Sequence, residues 1–179
     1  NLTTLVDSLV DSLEEKLRKR LLTVRPKPIG LATGRTMEPI YLALVKRLKS
    51  WPSIDLEKLL CGWNSFNLDE YVGLPSQDPQ SFGFYINHHL GNPLNLRNHQ
   101  LKVPNGACSN PQHEALRYKR SLQLAGGIGI QLLGLGTNGH IGFNEPPSDL
   151  DSTCRVVPLS VSTRDQNASA FGGILARVP

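Results

Sequence analysis

The sequence is short of several things. Aromatic residues make up only 6% of it, and Met37 is the single methionine. No apolar run approaches the ~20 residues that a membrane-crossing helix needs, which excludes a spanning protein of that kind. Cys61, Cys108 and Cys154 are odd in number, far apart and without a C-x-x-C pair. That argues against a disulfide scaffold and against a zinc site, and it suits a reducing cytoplasm. The first twenty residues carry too many charges for the apolar core of a secretory signal. The chain opens on Asn1 rather than methionine, so it reads as processed or as part of something longer.

What is present fits a globular protein. A length of 179 residues with 39% hydrophobic and 19% charged side chains supports one core and a single domain over 1–179. Nineteen Lys and Arg against fifteen Asp and Glu give a net charge of +4. Much of the excess lies in Lys16, Arg18, Lys19, Arg20, Arg25 and Lys27, a cluster that could neutralise phosphates along a nucleic acid. Asp7, Asp11, Glu14 and Glu15 precede it, however, and acids before bases complement a helix dipole. A solvated helix is the expectation, and no nucleic-acid partner.

The periodicities outline alternating elements. Leu2, Leu5, Val6, Leu9, Val10, Leu13, Leu17 and Leu21 recur at helical spacing, so a helix is predicted over 3–21, ended by Pro26 and Pro28. Ile29 to Thr33 reads as a short strand, followed by a helix near 37–49. Trp63 to Leu68 reads as a second strand, and 99–103 as a third. Helices are predicted over 79–90 and 111–125. Ile128 to Leu135 reads as an apolar strand, 154–160 as another, and 162–171 as a last helix. Strands alternating with helices predict an α/β fold with an open, mostly parallel sheet covered on both faces. Such sheets hold ligands at the carboxyl ends of their strands.

Three strand-end loops carry chemistry. Thr33-Gly34-Arg35-Thr36 runs into a helix, and its glycine, hydroxyls and guanidinium suit an anion. A plain strand-to-helix turn with a capping threonine reads equally well. It is not a Walker A loop, because no G-K-[ST] follows. Asp69-Glu70 ends the second strand, where a carboxylate is either a general base or a solvated turn. The third loop, Gly134-x-Gly136-x-x-Gly139, superficially fits a dinucleotide fingerprint. The fingerprint requires a helix directly afterwards, and Pro146-Pro147 forbids one, so a nicotinamide enzyme is not expected. What remains is a glycine-rich loop with Asn138, His140 and Glu145 within eight residues, a proton-handling set near neutral pH. His88 and His89 lack a third ligand at metal spacing and read as surface residues.

These loops resemble a known family. Phe66 to Pro75, which contains Asp69-Glu70-Tyr71, and Gly134 to Pro146 closely resemble the glucosamine-6-phosphate deaminases, with Leu31 to Gly34 and Asp78 to Phe82 fitting in the same order. The resemblance spans roughly residues 28–171. It implies a Rossmann-like three-layer α/β/α sandwich and a sugar-phosphate substrate. It also implies ring opening, isomerisation through an enolamine and loss of ammonia to leave fructose 6-phosphate. Carried over by position, His140 handles the protons of ring opening with Asn138 and Glu145 assisting, and Asp69 moves the C2 proton to C1. Thr33, Gly34, Arg35 and Thr36 hold the phosphate. Proton shuttling between adjacent carbons needs neither metal nor redox cofactor, so none is expected.

Three departures go with it. Met37 stands where a proline is common, and Ser169 where members carry a phosphate-binding arginine. Members also run beyond the point equivalent to Pro179, so the domain is expected to be incomplete at its C-terminal end. A 6-phosphogluconolactonase would carry a loop like G-x-D-G-H-T-A-S without an acid five residues past the histidine. A sugar-phosphate sensor would need the phosphate loop but not Asp69, His140 and Glu145 together. A cytoplasmic enzyme acting on an amino-sugar phosphate is the expectation, with a homo-oligomer left open.

Overall fold

Apolar residues every third or fourth position dictate the first element. The computed structural model describes residues 1–136 and 138–179; Thr137 of the glycine-rich loop lies outside the described residues. Helix α1 (Leu2–Leu21) buries Val6, Val10, Leu13 and Leu17 on one face, and Asn1 caps it by accepting the Thr4 N–H at 2.9 Å. The expected match to the helix dipole is only half met. Arg18, Lys19 and Arg20 crowd the last turn, but the first turn holds no acid. Asp11 and Glu14 reach instead across to Arg47, at 2.7 and 2.6 Å, and Glu14 also accepts from Trp51 Nε1 at 2.8 Å.

Strand β1 (Ile29–Leu31) follows, then α2 (Glu38–Lys49), α3 (Ser53–Cys61) and β2 (Ser65–Asn67). Helix α4 (Phe82–Ile86) continues into a wider π-type turn over Asn87–Gly91, followed by β3 (Leu101–Lys102) and α5 (Pro111–Leu124). Last come β4 (Ile130–Gln131) and α6 (Val161–Asn167). The four strands form one parallel sheet in the order β3-β2-β1-β4. No helix among the described residues is long and apolar enough to cross a membrane.

Side-chain alternation assigns the two faces. Ile29 and Leu31 enter a large core with α1, α2, Trp51, Trp63, Ile86 and Leu90. Phe66 points the other way and meets Tyr118 of α5 edge-on, with ring centroids 5.5 Å apart. The sheet is therefore covered on both faces, the Rossmann-like arrangement expected.

Three sequence expectations change. Helix α3 was not among the predicted elements, although Leu56, Leu59 and Leu60 supply its inward face. The strand predicted over Ile128 to Leu135 shrinks to two residues, because among the described residues β4 pairs only with β1. The strand predicted at 154–160 does not form. Extended chain becomes strand only beside a partner that takes its hydrogen bonds, and among the described residues none lies beside this segment.

The Glu14 cluster ties α1 to α2 and is the polar part of that packing. Glu14→Ala removes an acceptor shared by Arg18, Arg47 and Trp51. It should lower the unfolding free energy by about 1–2 kcal/mol, read as a lower urea midpoint at constant m-value. Glu15→Ala, which removes an exposed pair with Lys19, should leave the midpoint in place.

Candidate active site

The parallel register sends three loops out from one end of the sheet. The first leaves β1 at Ala32 and turns at Gly34, whose φ of 104° suits only glycine. A side chain there would meet nothing within 4 Å, so the space beside the turn is open. The loop's carbonyls are occupied. Tyr41 Oη donates to the Ala32 carbonyl at 2.6 Å, and Met37 N–H and Tyr85 Oη both donate to the Gly34 carbonyl, at 2.9 and 2.8 Å. Its amides are not. The N–H groups of Gly34, Arg35 and Thr36 donate to nothing among the described residues, and all three residues are exposed. Met37 is the exception: it is buried in the core and starts α2.

The second loop leaves β2 at Leu68, whose N–H donates to the Leu31 carbonyl at 2.9 Å and so extends the ladder. Asp69 sits in the wall of a cavity of about 400 Å³, shared with Phe66, Tyr118, Leu122, Phe143 and Leu159. Burial among these groups, with the charge of Glu70 next to it, pushes the Asp69 carboxyl up to about 7 against one donated N–H from Phe143. Glu70 is also raised by burial, although the N–H groups of Phe82, Gly83 and Tyr71 donate to it.

The third loop supplies the densest polar cluster. Asn138 Nδ2 donates to Glu145 Oε2 at 2.8 Å, which orients the amide and leaves Asn138 Oδ1 facing His140 Nδ1 at 2.6 Å. An amide oxygen only accepts, so a proton on His140 Nδ1 satisfies this contact and leaves Nε2 as the ring nitrogen not engaged by Asn138. Ser160 Oγ and N–H hold the other Glu145 oxygen at 2.9 and 3.2 Å, and Thr163 lies 3.3 Å from His140 Nδ1. Burial works to raise the Glu145 carboxyl, but hydrogen bonds from Thr163, Asn138 and Ser160 outweigh it and hold it down at about 2. Gly142, with φ 58°, brings its backbone so near Asp69 that a Cβ would lie 2.9 Å from Oδ2. The third loop thus packs directly on the second.

Asn138, His140 and Glu145 are therefore joined by hydrogen bonds, and Asp69 touches the same loop two residues past the histidine. The cavity wall includes Asp69 but not His140, Glu145 or residues 33–36. Its aromatic and aliphatic lining desolvates Asp69, while the amide, imidazole and hydroxyl groups lie on the third loop and at the start of α6. Ser160 and Thr163 were missed in the sequence. Both belong to the start of α6, with Ser160 as its cap, and a serine three residues before a threonine carries no catalytic signature. Ser169 lies exposed in the short turn Ala168–Phe171. His88 is exposed against Phe84 and His89 half-buried against Tyr85. Among the described residues no group of three His, Cys, Asp or Glu side chains is placed to hold a metal.

Comparison with known proteins points the same way as the loops. Residues 1–166 match the family model described as glucosamine-6-phosphate isomerases/6-phosphogluconolactonase. Glucosamine-6-phosphate deaminase 2 of Bacillus subtilis is 40% identical over 165 residues, which are 91% of this chain and 64% of that protein. Glucosamine-6-phosphate deaminase 2 of Giardia intestinalis is 42% identical over 159 residues, 87% of this chain and 59% of its own length. The chain thus spans about three fifths of the length of the curated relatives it matches. A solved structure of a monomeric glucosamine-6-phosphate deaminase superposes with a TM-score of 0.79 at 35% identity, over 91% of this chain and 66% of that one. A 6-phosphogluconolactonase from Thermotoga maritima shares the fold at 22% identity, with a TM-score of 0.63 over 76% of this chain and 58% of that one.

The raised Asp69 carboxyl has a measurable consequence. A group titrating at about 7 when folded and near 3.9 when unfolded holds its proton more tightly in the folded chain. Stability is therefore lost as pH rises from about 4 through 7. Asp69→Asn should remove that loss, so urea midpoints of variant and parent should coincide near pH 4 and diverge by pH 8, with the variant more stable. One pKa unit is ~1.36 kcal/mol, which puts the gap at up to about 4 kcal/mol. Glu145, held low, acts with the opposite sign and in a separate window below about pH 4.5.

Proposed function

The chain belongs to the glucosamine-6-phosphate isomerase/6-phosphogluconolactonase family, and we propose that the protein converts glucosamine 6-phosphate and water to fructose 6-phosphate and ammonia. The observation that carries this reading is the hydrogen-bonded line Glu145–Asn138–His140 set beside a carboxyl, Asp69, that titrates near neutrality.

The chemistry divides between the two. His140 Nε2 takes the proton of the sugar's O1 hydroxyl as the ring opens and returns it to O5. Asn138 fixes the imidazole tautomer, and Glu145 fixes Asn138. Asp69 removes the C2 proton of the open chain while a proton of the C2 ammonium passes to O1, giving the enolamine. Asp69 then delivers its proton to C1, which becomes a hydroxymethyl carbon as C2 becomes an iminium. Water adds at C2, and the C2–N bond breaks with loss of ammonia. A base working near neutral pH is most effective when its pKa lies near that pH, which is where burial puts Asp69. The unpaired N–H groups of Gly34, Arg35 and Thr36 and the Arg35 guanidinium suit the 6-phosphate. A cytoplasmic setting goes with this reading, since Cys61, Cys108 and Cys154 are free thiols.

The experiment is an ammonia-release assay with glucosamine 6-phosphate and galactosamine 6-phosphate, run beside hydrolysis of 6-phosphogluconolactone. Ammonia from an amino-sugar phosphate is expected, with Asp69→Asn slower by about 10²–10⁴-fold. Turnover of the lactone alone would overturn the deaminase reading.

A further inference from the structure

Helix α4 stands between two of the loops and grips both. At its start, Glu70 Oε1 accepts the N–H groups of Tyr71 and Phe82, each at 2.9 Å, and Oε2 accepts Gly83 N–H at 2.8 Å. Ser81 caps the same turn by accepting Phe84 N–H at 3.0 Å. Further along, Ile86 and Leu90 are fully buried in the main core, which fixes the helix lengthwise. Directly before Ile86, Tyr85 reaches the first loop and donates to the Gly34 carbonyl at 2.8 Å. Its ring lies edge-on to Tyr41, 6.3 Å between centroids, and Tyr41 holds the Ala32 carbonyl. Two tyrosines thus pin alternate carbonyls of the loop from behind.

We propose that Tyr85 is a positioning residue for the anion loop: it holds the Gly34 carbonyl back so that the N–H groups of residues 34–36 stay free for a phosphoryl group, and α4 locks that loop to the Asp69 loop. This rests on the reading of residues 33–36 as the phosphate site. Without the hydroxyl, the Gly34 carbonyl keeps only Met37 N–H, and the peptide is free to rotate about a residue with no side chain. An oxygen turned toward a phosphate repels it. Burial, with the charge of Glu38 nearby, raises the Tyr85 phenol above its ordinary range, so it stays a donor across the working pH. Phenylalanine would keep the ring contacts and lose only the donor.

The test is Tyr85→Phe. Inorganic phosphate is titrated into parent and variant, following the amide resonances of Gly34, Arg35 and Thr36, and Tm is recorded for both. A five- to tenfold weaker phosphate affinity at unchanged Tm is expected, with KM for the sugar phosphate raised by the same factor and kcat within twofold. Unchanged affinity overturns the proposal. So does lost affinity accompanied by a fall in Tm of several degrees, which marks a structural role, and so does a parent whose residues 34–36 do not respond to phosphate. Should the protein turn over 6-phosphogluconolactone and release no ammonia, the deaminase reading fails, whereas weaker phosphate binding by Tyr85→Phe still upholds the role of Tyr85.

Discussion

Everything at the site depends on β1 being paired on both sides in register. Ile29 and Gly30 lie opposite Ser65 and Phe66 on one side and opposite Ile130 and Gln131 on the other. Leu68 N–H and Leu132 N–H then close onto the Leu31 and Gly30 carbonyls, both at 2.9 Å. Parallel strands in register end together, so the chains leaving β1, β2 and β4 emerge at one edge and must pack on one another. A slip of one residue in either pair would turn the exit of a loop to the opposite face of the sheet. Three residues of strand therefore determine where Asp69, His140 and the exposed amides of 34–36 can meet.

Two carboxylates on these loops are driven in opposite directions by their surroundings. Asp69 faces aromatic and aliphatic walls, has Glu70 as its neighbour and gains one backbone donor, so its proton is held to about pH 7. Glu145 is ringed by hydroxyl, amide and backbone donors and stays ionised down to about 2. The first can exchange protons at neutral pH and the second cannot, which separates a proton carrier from an orienting group. Glu145 reaches His140 through Asn138, and more loosely through Thr163, with no direct hydrogen bond between carboxylate and ring among the described residues. A neutral amide passes on orientation but no charge, so the imidazole is held in one tautomer without a carboxylate directly against it.

The sequence was most readable where a pattern is local. Helix α1 follows from apolar spacing, and it, α2 and α5 fall within a residue or two of expectation. The three loops were legible because glycine, acid and histidine cluster just after apolar runs. Strand lengths were not legible, since Ile128 to Leu135 is apolar throughout most of its length whether or not a neighbour is present to pair with it. The cluster at Glu145 was only half visible. Asn138 and His140 lie close in sequence, but Ser160 and Thr163 arrive from 15 to 23 residues away, and nothing in a helix cap announces a second task. Tyr85 is subtler still, 51 residues from the carbonyl it holds.

Adjacent half-buried carboxyls at 69 and 70 are a cost that a fold serving only stability would not carry. Burial raises both, the charge of Glu70 adds to the rise at Asp69 and that of Asp78 to the rise at Glu70, and neither meets a cation among the described residues. What makes Glu70 tolerable is that three backbone N–H groups converge on it, two of them from the first turn of α4, where orphan donors would otherwise face the protein interior. The carboxylate and the helix start satisfy each other. Asp69 has no such arrangement, only the single N–H of Phe143, and its proton is correspondingly mobile near neutrality. The asymmetry follows from geometry: in the loop after β2 the Asp69 side chain is held by Phe143 N–H at the cavity wall, and the Glu70 carboxylate turns to the start of α4. The same backbone step that leaves Asp69 chemically available also anchors the helix that, through Tyr85, steadies the anion loop.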